Sequence, residues 1–343
     1  MEEKILVTGC AGFIGFHVSK QLLNKGLFVV GIDNINNYYD VHLKKARLKE
    51  LEKFSKNNKG VFLFIKEDLK DKNTLKNISK QHLPNKVIHL AAQSGVRNSI
   101  ENPSEYINSN LVGFGNVLEF CKDNQVEHLI YASSSSIYGG NKKMPFSEKD
   151  FVEYPVSLYA ATKKSNELMA HSYSHLFKIP CTGIRLFTVY GPWGRPDMAS
   201  MIFAKSILSG NPIKIFNNGD MYRDFTYIDD VSEAILKLLY VPPKYFNDNK
   251  ILNSSDLPEL TPHRVINIGS SNPINLLKFI EILEHEINIK AIRVFEKMQL
   301  GEVKKTYADT SYIKDLINFK PHTSLKKGIR EFVKWYKNFY RSF

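Results

Sequence analysis

The feature that most constrains this sequence is a glycine-rich turn placed directly after an apolar run near the N-terminus. Residues 5–7 are apolar and include β-branched side chains, as a buried parallel strand needs. Residues from Phe13 to Leu23 then show the periodicity of an amphipathic helix. In a dinucleotide-binding turn, Gly9 permits the bend, Gly12 lets the backbone approach a pyrophosphate, and Gly15 lets the helix pack closely on the strand. The helix N-terminus would present unpaired N–H groups to the phosphates. The pattern therefore predicts a dinucleotide site.

A carboxylate at the end of the second apolar run indicates which dinucleotide binds. This run, Phe28–Ile32, ends at Asp33, which lies 18 residues after Gly15. A carboxylate at that position can accept hydrogen bonds from both hydroxyls of an adenosine ribose, and it would repel a 2′-phosphate. The sequence therefore predicts NAD rather than NADP as the cofactor.

The order of apolar and amphipathic segments predicts the fold class. Segments of helical periodicity alternate with four further apolar runs, at residues 61–65, 86–90, 127–132 and 180–187. This alternation is typical of an α/β fold with a Rossmann-type, doubly wound parallel sheet. We expect an NAD-binding domain at residues 1–180, with returning segments near 225–240 and 264–270. The remaining part, mainly residues 181–343, is expected to form a smaller, interleaved C-terminal α/β substrate domain.

Residues at the ends of the later strands complete the predicted cofactor site. Asp68 and Leu69 follow the third strand and are candidates for contact with the adenine edge. The small residues that follow the fourth strand would let the backbone lie against the cofactor. Among residues 1–132, the candidate cofactor contacts are Gly9, Gly12, Phe13, Ile14, Gly15, Asp33, Asn34, Asp68, Leu69, Leu90, Ala91 and Ala92.

A group of hydroxyl and amine side chains follows the fifth strand. Four serines, residues 133–136, stand at its carboxyl end, where ligands bind in open α/β sheets. Tyr159 and Lys163 then lie four residues apart, on one face of a helix. A free tyrosine has a pKa near ~10, but a neighbouring ammonium and the positive nicotinamide would favour the phenolate. The spacing alone occurs by chance on many helices, and the glycine turn and the serines make proton transfer the better interpretation.

Composition excludes several other classes of function. The chain has 343 residues and a net charge of +12, but its lysines are dispersed and form no aromatic-interleaved patch, so no nucleic-acid partner is expected. No apolar run is long enough to span a bilayer, and no membrane partner is expected. The ten histidines and three cysteines show no metal-ligand spacing, so no metal is expected and a reducing, cytoplasmic setting fits best.

Together these motifs resemble the extended short-chain dehydrogenases/reductases, and more narrowly the UDP-glucuronate 4-epimerases among the nucleotide-sugar epimerases. The resemblance extends over nearly the whole chain. Its most specific parts are residues 33–40 and 188–199. The other matching segments are residues 8–15, 91–97, 133–139, 159–163 and 223–230.

The resemblance implies a role for each catalytic residue. Tyr159 would be the base, and Ser134 would hold the 4-oxygen of the sugar. Lys163 would bind the nicotinamide ribose and lower the pKa of Tyr159, so both helix residues would also contact the cofactor. Ser135 and Ser136 would line the substituent at C5 of the sugar.

The resemblance also implies further substrate contacts. Thr188 would join the two serines near C5, and Arg195, in the same matching segment, belongs to the expected substrate-binding set. Arg223 would contact the nucleotide diphosphate, and Arg97 would assist with phosphate charge. Glu302 occupies the position of an aspartate that contacts the uridine ribose in the family.

The implied activity is conversion of UDP-glucuronate to UDP-galacturonate through a transient 4-keto intermediate with bound NAD. We also expect a homodimer. Related dehydratases carry an Asp-Glu pair where Ser135 and Ser136 stand, and decarboxylating relatives carry a glutamate at the second position, so this chain lacks both sets of catalysts. The same chemistry on UDP-N-acetylglucosamine, its uronate or UDP-glucose remains an alternative, as does a non-catalytic NAD-sensing protein.

Overall fold

A parallel β-sheet of seven strands forms the centre of the fold. The computed structural model describes residues 3–244, 261–299 and 301–341. In chain order the strands are β1 (Lys4–Thr8), β2 (Phe28–Ile32), β3 (Val61–Ile65), β4 (Lys86–His89), β5 (His128–Ser134), β6 (Cys181–Leu186), β7 (Thr188–Tyr190), β8 (Ile213–Phe216), β9 (Tyr222–Tyr227), β10 (His263–Ile268), β11 (Pro273–Asn275) and β12 (Arg293–Glu296). The central sheet has the order β10-β6-β5-β4-β1-β2-β3.

Helices connect the strands of this sheet. They are α1 (Phe13–Asn24), α2 (Val41–Lys56), α3 (Lys72–His82), α4 (Asn98–Glu101), α5 (Pro103–Tyr106), α6 (Gly113–Asp123), α7 (Leu158–Phe177), α8 (Ala199–Leu208), α9 (Ile228–Leu239), α10 (Leu276–Ile287), α11 (Ser311–Ile317) and α12 (Leu325–Arg341). A π-helical segment at residues 107–112 precedes α6, and a 3₁₀ turn at residues 135–138 follows β5. Among the described residues, no helix is long and apolar enough to cross a membrane.

The central sheet is buried on both faces, as its continuous apolar strands predict. Along β1, Ile5 and Val7 pack into the core on one side, and Leu6 packs into the core on the other. Helices α1 and α9 contact each other on the first side, and α6 contacts both α3 and α7 on the second. Because each face needs apolar cover, a parallel sheet of this kind places helices in two layers. The predicted α/β, doubly wound fold class is confirmed.

The second half of the chain builds smaller sheets and also returns to the large one. Strands β7, β9 and β11 form a three-stranded sheet, and β8 pairs with β12. Strand β10 pairs in parallel with β6, which itself pairs with β5. The large sheet therefore includes β6, which begins one residue after the predicted boundary at residue 180. The division into two domains stays a prediction.

Candidate active site

The glycine turn has the geometry that a close backbone approach requires. Gly9 has a φ of +71°, and its N–H donates to the Ile32 carbonyl at 2.8 Å. A Cβ on Gly9 would lie 2.7 Å from the Ala91 nitrogen, and one on Gly15 would lie 2.1 Å from the Gly9 oxygen. Gly12 caps α1 without any side chain over the first N–H groups of the helix. The turn therefore offers bare backbone at a helix N-terminus, which suits a pyrophosphate.

A cleft at the carboxyl ends of the central strands gathers the residues predicted for the cofactor. Its walls come from the carboxyl ends of β2 and β5 and from the segments that directly follow β1 and β4, and α7 closes one side. Every predicted cofactor contact lines this cleft: Gly9, Gly12, Phe13, Ile14, Gly15, Asp33, Asn34, Asp68, Leu69, Leu90, Ala91, Ala92, Tyr159 and Lys163. Carboxyl ends of parallel strands are where nucleotides bind in such sheets, so the placement fits NAD.

Asp33 is held rigidly at the end of β2. Its carboxylate accepts hydrogen bonds from the backbone N–H groups of Ala11, at 3.2 Å, and Ile35, at 2.9 Å. Burial raises the pKa of Asp33, while these hydrogen bonds and the nearby ammonium of Lys44 act in the opposite direction. Each carboxylate oxygen keeps a second lone pair. The group can therefore still accept hydrogen bonds from ribose hydroxyls.

Ser134, Tyr159 and Lys163 come together where β5 ends and α7 begins. Ser134 is the last residue of β5, and all three line the cleft. Helix α7 begins after Ser157, whose hydroxyl accepts from the Ala160 N–H at 3.1 Å, and this cap places Tyr159 in the first turn. Lys163 is buried one turn later, as the spacing of four predicts.

Two groups that were not predicted for this role, Ser134 and Arg195, act on the Tyr159 phenol. Burial raises the pKa of Tyr159, and a hydrogen bond with Ser134 and the positive charge of Arg195 oppose that shift. The Lys163 ammonium instead donates to the Ala132 carbonyl at 2.9 Å, and burial lowers the pKa of Lys163 to about 8. The backbone of β5 therefore orients the lysine, and the serine and the arginine favour the phenolate.

Arg195 joins Ser134 on the cleft wall, and an acidic neighbour fixes its orientation. The Asp197 carboxylate accepts from Arg195 Nε at 3.0 Å and from Nη2 at 2.8 Å. The Tyr38 hydroxyl lies 3.5 Å from the same carboxylate. The two sequence segments with the most specific resemblance, residues 33–40 and 188–199, thus meet beside Tyr159.

The other predicted substrate residues do not line the cleft itself. Ser135 and Ser136 are half-buried in the 3₁₀ turn beside Ser134, and Thr188 is half-buried at the start of β7. Thr188 lies between Phe187 and Val189, and both of these line the cleft. The three hydroxyl residues therefore adjoin the cleft near Ser134.

Arg97, Arg223 and Glu302 form a separate cluster. The Glu302 carboxylate lies 3.2 Å from Arg97 Nη2 and 2.9 Å from Arg223 Nη2. The sequence predicted all three as substrate contacts, but the direct ion pairing between them was not predicted. The sequence feature that could have indicated this ion pairing is Glu302 itself, because its side chain is one methylene longer than the aspartate of the family.

Sequence reasoning missed a buried arginine that joins distant segments. Arg47 is fully buried on α2, and its Nη1 donates to the Ala11 carbonyl at 2.8 Å. Its Nη2 donates to the carbonyls of Trp193, at 2.6 Å, and Gly194, at 3.2 Å. The sequence feature that could have revealed its burial is its position on the apolar stripe of α2, four residues after Leu43. A charged residue on such a stripe needs buried partners.

A second missed residue anchors helix α7, which carries Tyr159 and Lys163. Glu167 continues the face of Tyr159 and Lys163 at a further spacing of four, and its carboxylate accepts from the Ser133 hydroxyl at 2.7 Å. Arg185 of β6 donates to both of its oxygens at 2.9 Å. Burial raises the pKa of Glu167, but the hydrogen bonds and charge of Arg185, the Ser133 hydrogen bond and the charge of Lys164 together outweigh burial and hold that pKa below its ordinary value.

Comparison with known proteins places this site in a family. Residues 6–332 match the family model described as GDP-mannose 4,6 dehydratase. A probable UDP-glucuronate 4-epimerase of Rhizobium meliloti (strain 1021) is 47% identical over 339 residues, which cover 98% of each chain. UDP-glucuronate 4-epimerase 4 of Arabidopsis thaliana is 44% identical over 342 residues, covering 98% of this chain and 76% of that protein.

A solved structure shows the same similarity in three dimensions. UDP-glucuronic acid 4-epimerase from Bacillus cereus, in complex with UDP-glucuronic acid and NAD, superposes with a TM-score of 0.84. The two chains are 35% identical, and the match covers 98% of this chain and 100% of that one. The predicted family is confirmed: the chain belongs to the extended short-chain dehydrogenase/reductase family that the GDP-mannose 4,6 dehydratase model describes.

Proposed function

We propose that this protein is an NAD-dependent UDP-glucuronate 4-epimerase, which interconverts UDP-glucuronate and UDP-galacturonate. Two observations together support the proposal. The chain matches, over almost its full length, an epimerase solved with UDP-glucuronic acid and NAD, and it has Ser134, Tyr159 and Lys163 around one cleft. A pure NAD sensor would have no use for that catalytic set.

The residues of the cleft fit NAD. The glycine positions leave no room for side chains where the pyrophosphate would lie, and Asp33 is placed to accept from the adenosine ribose. Lys163 is the residue we assign to the nicotinamide ribose. When bound, NAD accepts a hydride from C4 of the sugar and returns it to the opposite face.

Side chains of the protein remove and return the proton of the C4 hydroxyl. In this mechanism the Tyr159 oxygen takes the proton, and the Ser134 hydroxyl hydrogen-bonds the reacting oxygen. Arg195 and the Ser134 hydrogen bond favour the phenolate form of Tyr159, and the buried Lys163 contributes a further positive charge at neutral pH. The resulting 4-keto sugar turns within the site, takes back hydrogen at C4, and regains its proton from Tyr159.

The substrate contacts are assigned from both charge and position. Arg223 and Arg97 are the proposed partners of the diphosphate, and Ser135, Ser136 and Thr188 are proposed donors to the C6 carboxylate. Neutral hydroxyl donors satisfy a carboxylate without the tight pairing that would hinder rotation of the sugar.

Serines at positions 135 and 136 also argue against two reactions of related enzymes. Elimination of water needs an acid and a base beside C5 and C6, and decarboxylating relatives have a glutamate at the second position. Neither position of this chain carries a carboxylate. We therefore infer epimerisation rather than dehydration or decarboxylation, although the matching family model takes its description from a dehydratase.

Product analysis tests the proposal. Purified protein is incubated separately with UDP-glucuronate, UDP-glucose, UDP-N-acetylglucosamine and its uronate, and the products are identified by NMR. We expect UDP-galacturonate from UDP-glucuronate, and slower turnover of the other three. Faster turnover of any other UDP-sugar would replace the uronate assignment with that alternative.

We also infer that the protein is a homodimer. Helix α7 packs against the π-helical segment at residues 107–112 and against α6, and these neighbouring elements carry apolar side chains on the surface. The exposed residues are Ile107, Val112, Leu168, Leu176 and Phe177. Grouped apolar exposure is typical of protein–protein contacts. Light scattering should give a mass near twice 39.4 kDa, and Leu168→Asp should shift it toward the monomer.

We further infer a reducing, cytoplasmic setting. Cys10, Cys121 and Cys181 are buried and free, and the structure pairs none of them. Burial raises the pKa of all three thiols, which keeps them unreactive.

A further inference from the structure

The cluster around Glu302 places one carboxylate between two guanidinium groups. Glu302 Oε2 lies 2.9 Å from Arg223, and Oε1 lies 3.2 Å from Arg97. Arg223 is mostly buried and also donates to the backbone carbonyls of Tyr222 and Lys304. The Arg97 guanidinium lies 5.0 Å from the centre of the Phe216 ring. Each arginine therefore has a support that does not depend on Glu302.

The charge of Arg97 lies close enough to affect the ionisation of Arg223. Burial lowers the pKa of Arg223, the charge of Arg97 acts in the same direction, and Glu302 opposes both. Two more cations, Lys304 and Lys305, follow in the same segment, with Lys304 paired to Asp220 and Lys305 over aromatic rings. The cluster is thus a cationic site in which Glu302 offsets part of the positive charge.

We propose that Glu302 is a resident counter-anion of the diphosphate site, which the diphosphate of the UDP-sugar displaces from the two arginines. The proposal rests on the proposed function, because the ligand is taken from it. Guanidinium groups bind carboxylate and phosphate through the same fork of N–H donors. Glu302 and a diphosphate therefore compete for one set of donors, and binding must first break the two ion pairs.

The proposal predicts the opposite sign from a direct contact with substrate. If Glu302 competes with the diphosphate, removal of its charge strengthens binding of UDP. If its carboxylate instead holds the uridine ribose, as the family's aspartate does, the same change weakens binding. A neutral residue of equal shape separates these cases, so the decisive substitution is Glu302→Gln.

The experiment measures UDP affinity by calorimetry with the full-length protein. Glu302→Gln should lower the Kd for UDP by about threefold to tenfold, the range expected for loss of partly exposed ion pairs. The same substitution should also lower the KM for UDP-glucuronate. Glu296→Gln is the matched control, since Glu296 is paired with Lys214 at 2.9 Å on the neighbouring strands β12 and β8. That control should leave the Kd unchanged.

A second variant and a second readout keep the result decisive. Glu302→Ala should also bind UDP more tightly, and both variants should show a steeper loss of affinity with added salt, because the site is more cationic. Equal or weaker binding of UDP by both variants would overturn the proposal, as would failure of the wild type to bind UDP. UDP binding without epimerisation would instead overturn only the proposed function.

Discussion

Tyr159 is the residue on which the proposed chemistry depends most. It lies in the first turn of α7, and its ring stands edge-on to that of Tyr106, with the ring centres 6.1 Å apart. The ring is therefore positioned by packing, and the hydroxyl by Ser134. Loss of the hydroxyl should remove the base and leave the pocket intact.

Tyr159→Phe should lower kcat by about 10²- to 10⁴-fold, the usual contribution of a general base. Binding of UDP, measured by calorimetry, should change little because the ring still packs. Tyr173→Phe is the control, since Tyr173 lies on the same helix and its exposed hydroxyl donates to Glu119. Near-normal turnover by Tyr159→Phe would place the base elsewhere.

Asp33→Asn should narrow the preference for NAD over NADP. The neutral amide no longer repels a 2′-phosphate, and its oxygen can still accept one of the two backbone N–H groups that Asp33 holds. Affinities for the two dinucleotides, measured on protein stripped of cofactor, give the comparison. Asp40→Asn, at the cap of α2, should leave the preference unchanged. Equal affinity of the wild type for both dinucleotides would contradict the assignment.

Single residues differ in how far the sequence could predict them. The glycines and Asp33 were predictable because their spacing in the chain is set by one local turn. The role of Arg195 beside Tyr159 was not predictable from the sequence. It depends on the salt bridge with Asp197 and on the fold, which brings the segment after β7 next to the start of α7. Position within the fold decides such a role.

Three elements meet at the candidate active site, and a buried ion pair holds them together. Glu167 of α7, Arg185 of β6 and Ser133 of β5 share hydrogen bonds directly beneath Ser134. The Tyr138 hydroxyl accepts from Arg185 and donates to Asn267 of β10. This network fixes the helix that carries Tyr159 and Lys163 relative to the strand that carries Ser134.

Glu167→Gln should destabilise the protein by about 3–5 kcal/mol, because it leaves the buried charge of Arg185 without its counter-ion. Denaturant unfolding measures the free energy of unfolding. Glu119→Gln, which removes a carboxylate from a surface pair with Lys122 on α6, should have little effect. If Glu167→Gln lowers the free energy of unfolding no more than Glu119→Gln does, the network does not stabilise these elements.

Elements of the first half were predictable, and those of the second half were less so. Strands β1, β2, β4 and β5 are largely buried on both faces, so each appears as a continuous apolar run. Strands β7 and β11 have only three residues each, which is too short for any periodicity to show. Their pairing with β9 depends on distant parts of the chain.

Contacts across the whole molecule connect the cofactor turn to the substrate side. Arg47 bonds the carbonyl of Ala11 and those of Trp193 and Gly194, which lie 146 and 147 residues further along the chain than Arg47 itself. The Trp193 ring packs near Trp335 of α12, with ring centres 5.4 Å apart. No sequence spacing could reveal these contacts, because only the finished fold brings the segments together.

Buried histidines should make the whole molecule sensitive to acid. Burial lowers the pKa of His89, His128 and His263 to about 3. In the unfolded chain these groups titrate near ~6.5. Below that pH the unfolded state binds more protons than the folded state, so stability present above pH ~6.5 is lost as the pH falls toward 3.

His128→Gln should flatten this dependence, because it removes one of the three groups. His128 donates through Nδ1 to the Leu239 carbonyl at 3.0 Å, and its Nε2 accepts from the Thr182 hydroxyl at 2.8 Å. Thermal unfolding from pH 7 to pH 4 gives the slope of Tm against pH. This slope, rather than the absolute Tm, is the quantity to compare between variants. His285→Gln, at an exposed position on α10, should keep the wild-type slope. An equally steep slope for His128→Gln would contradict the account.

The fate of the hydrogen at C4 tests the proposed epimerisation most directly. UDP-glucuronate with deuterium at C4 is incubated with the protein in ordinary water, and the UDP-galacturonate formed is examined by NMR. Because the same hydrogen is removed and returned within a closed site, the product should keep its deuterium at C4. Replacement of that deuterium by hydrogen from water would contradict transient oxidation at C4 and the mechanism built on Tyr159.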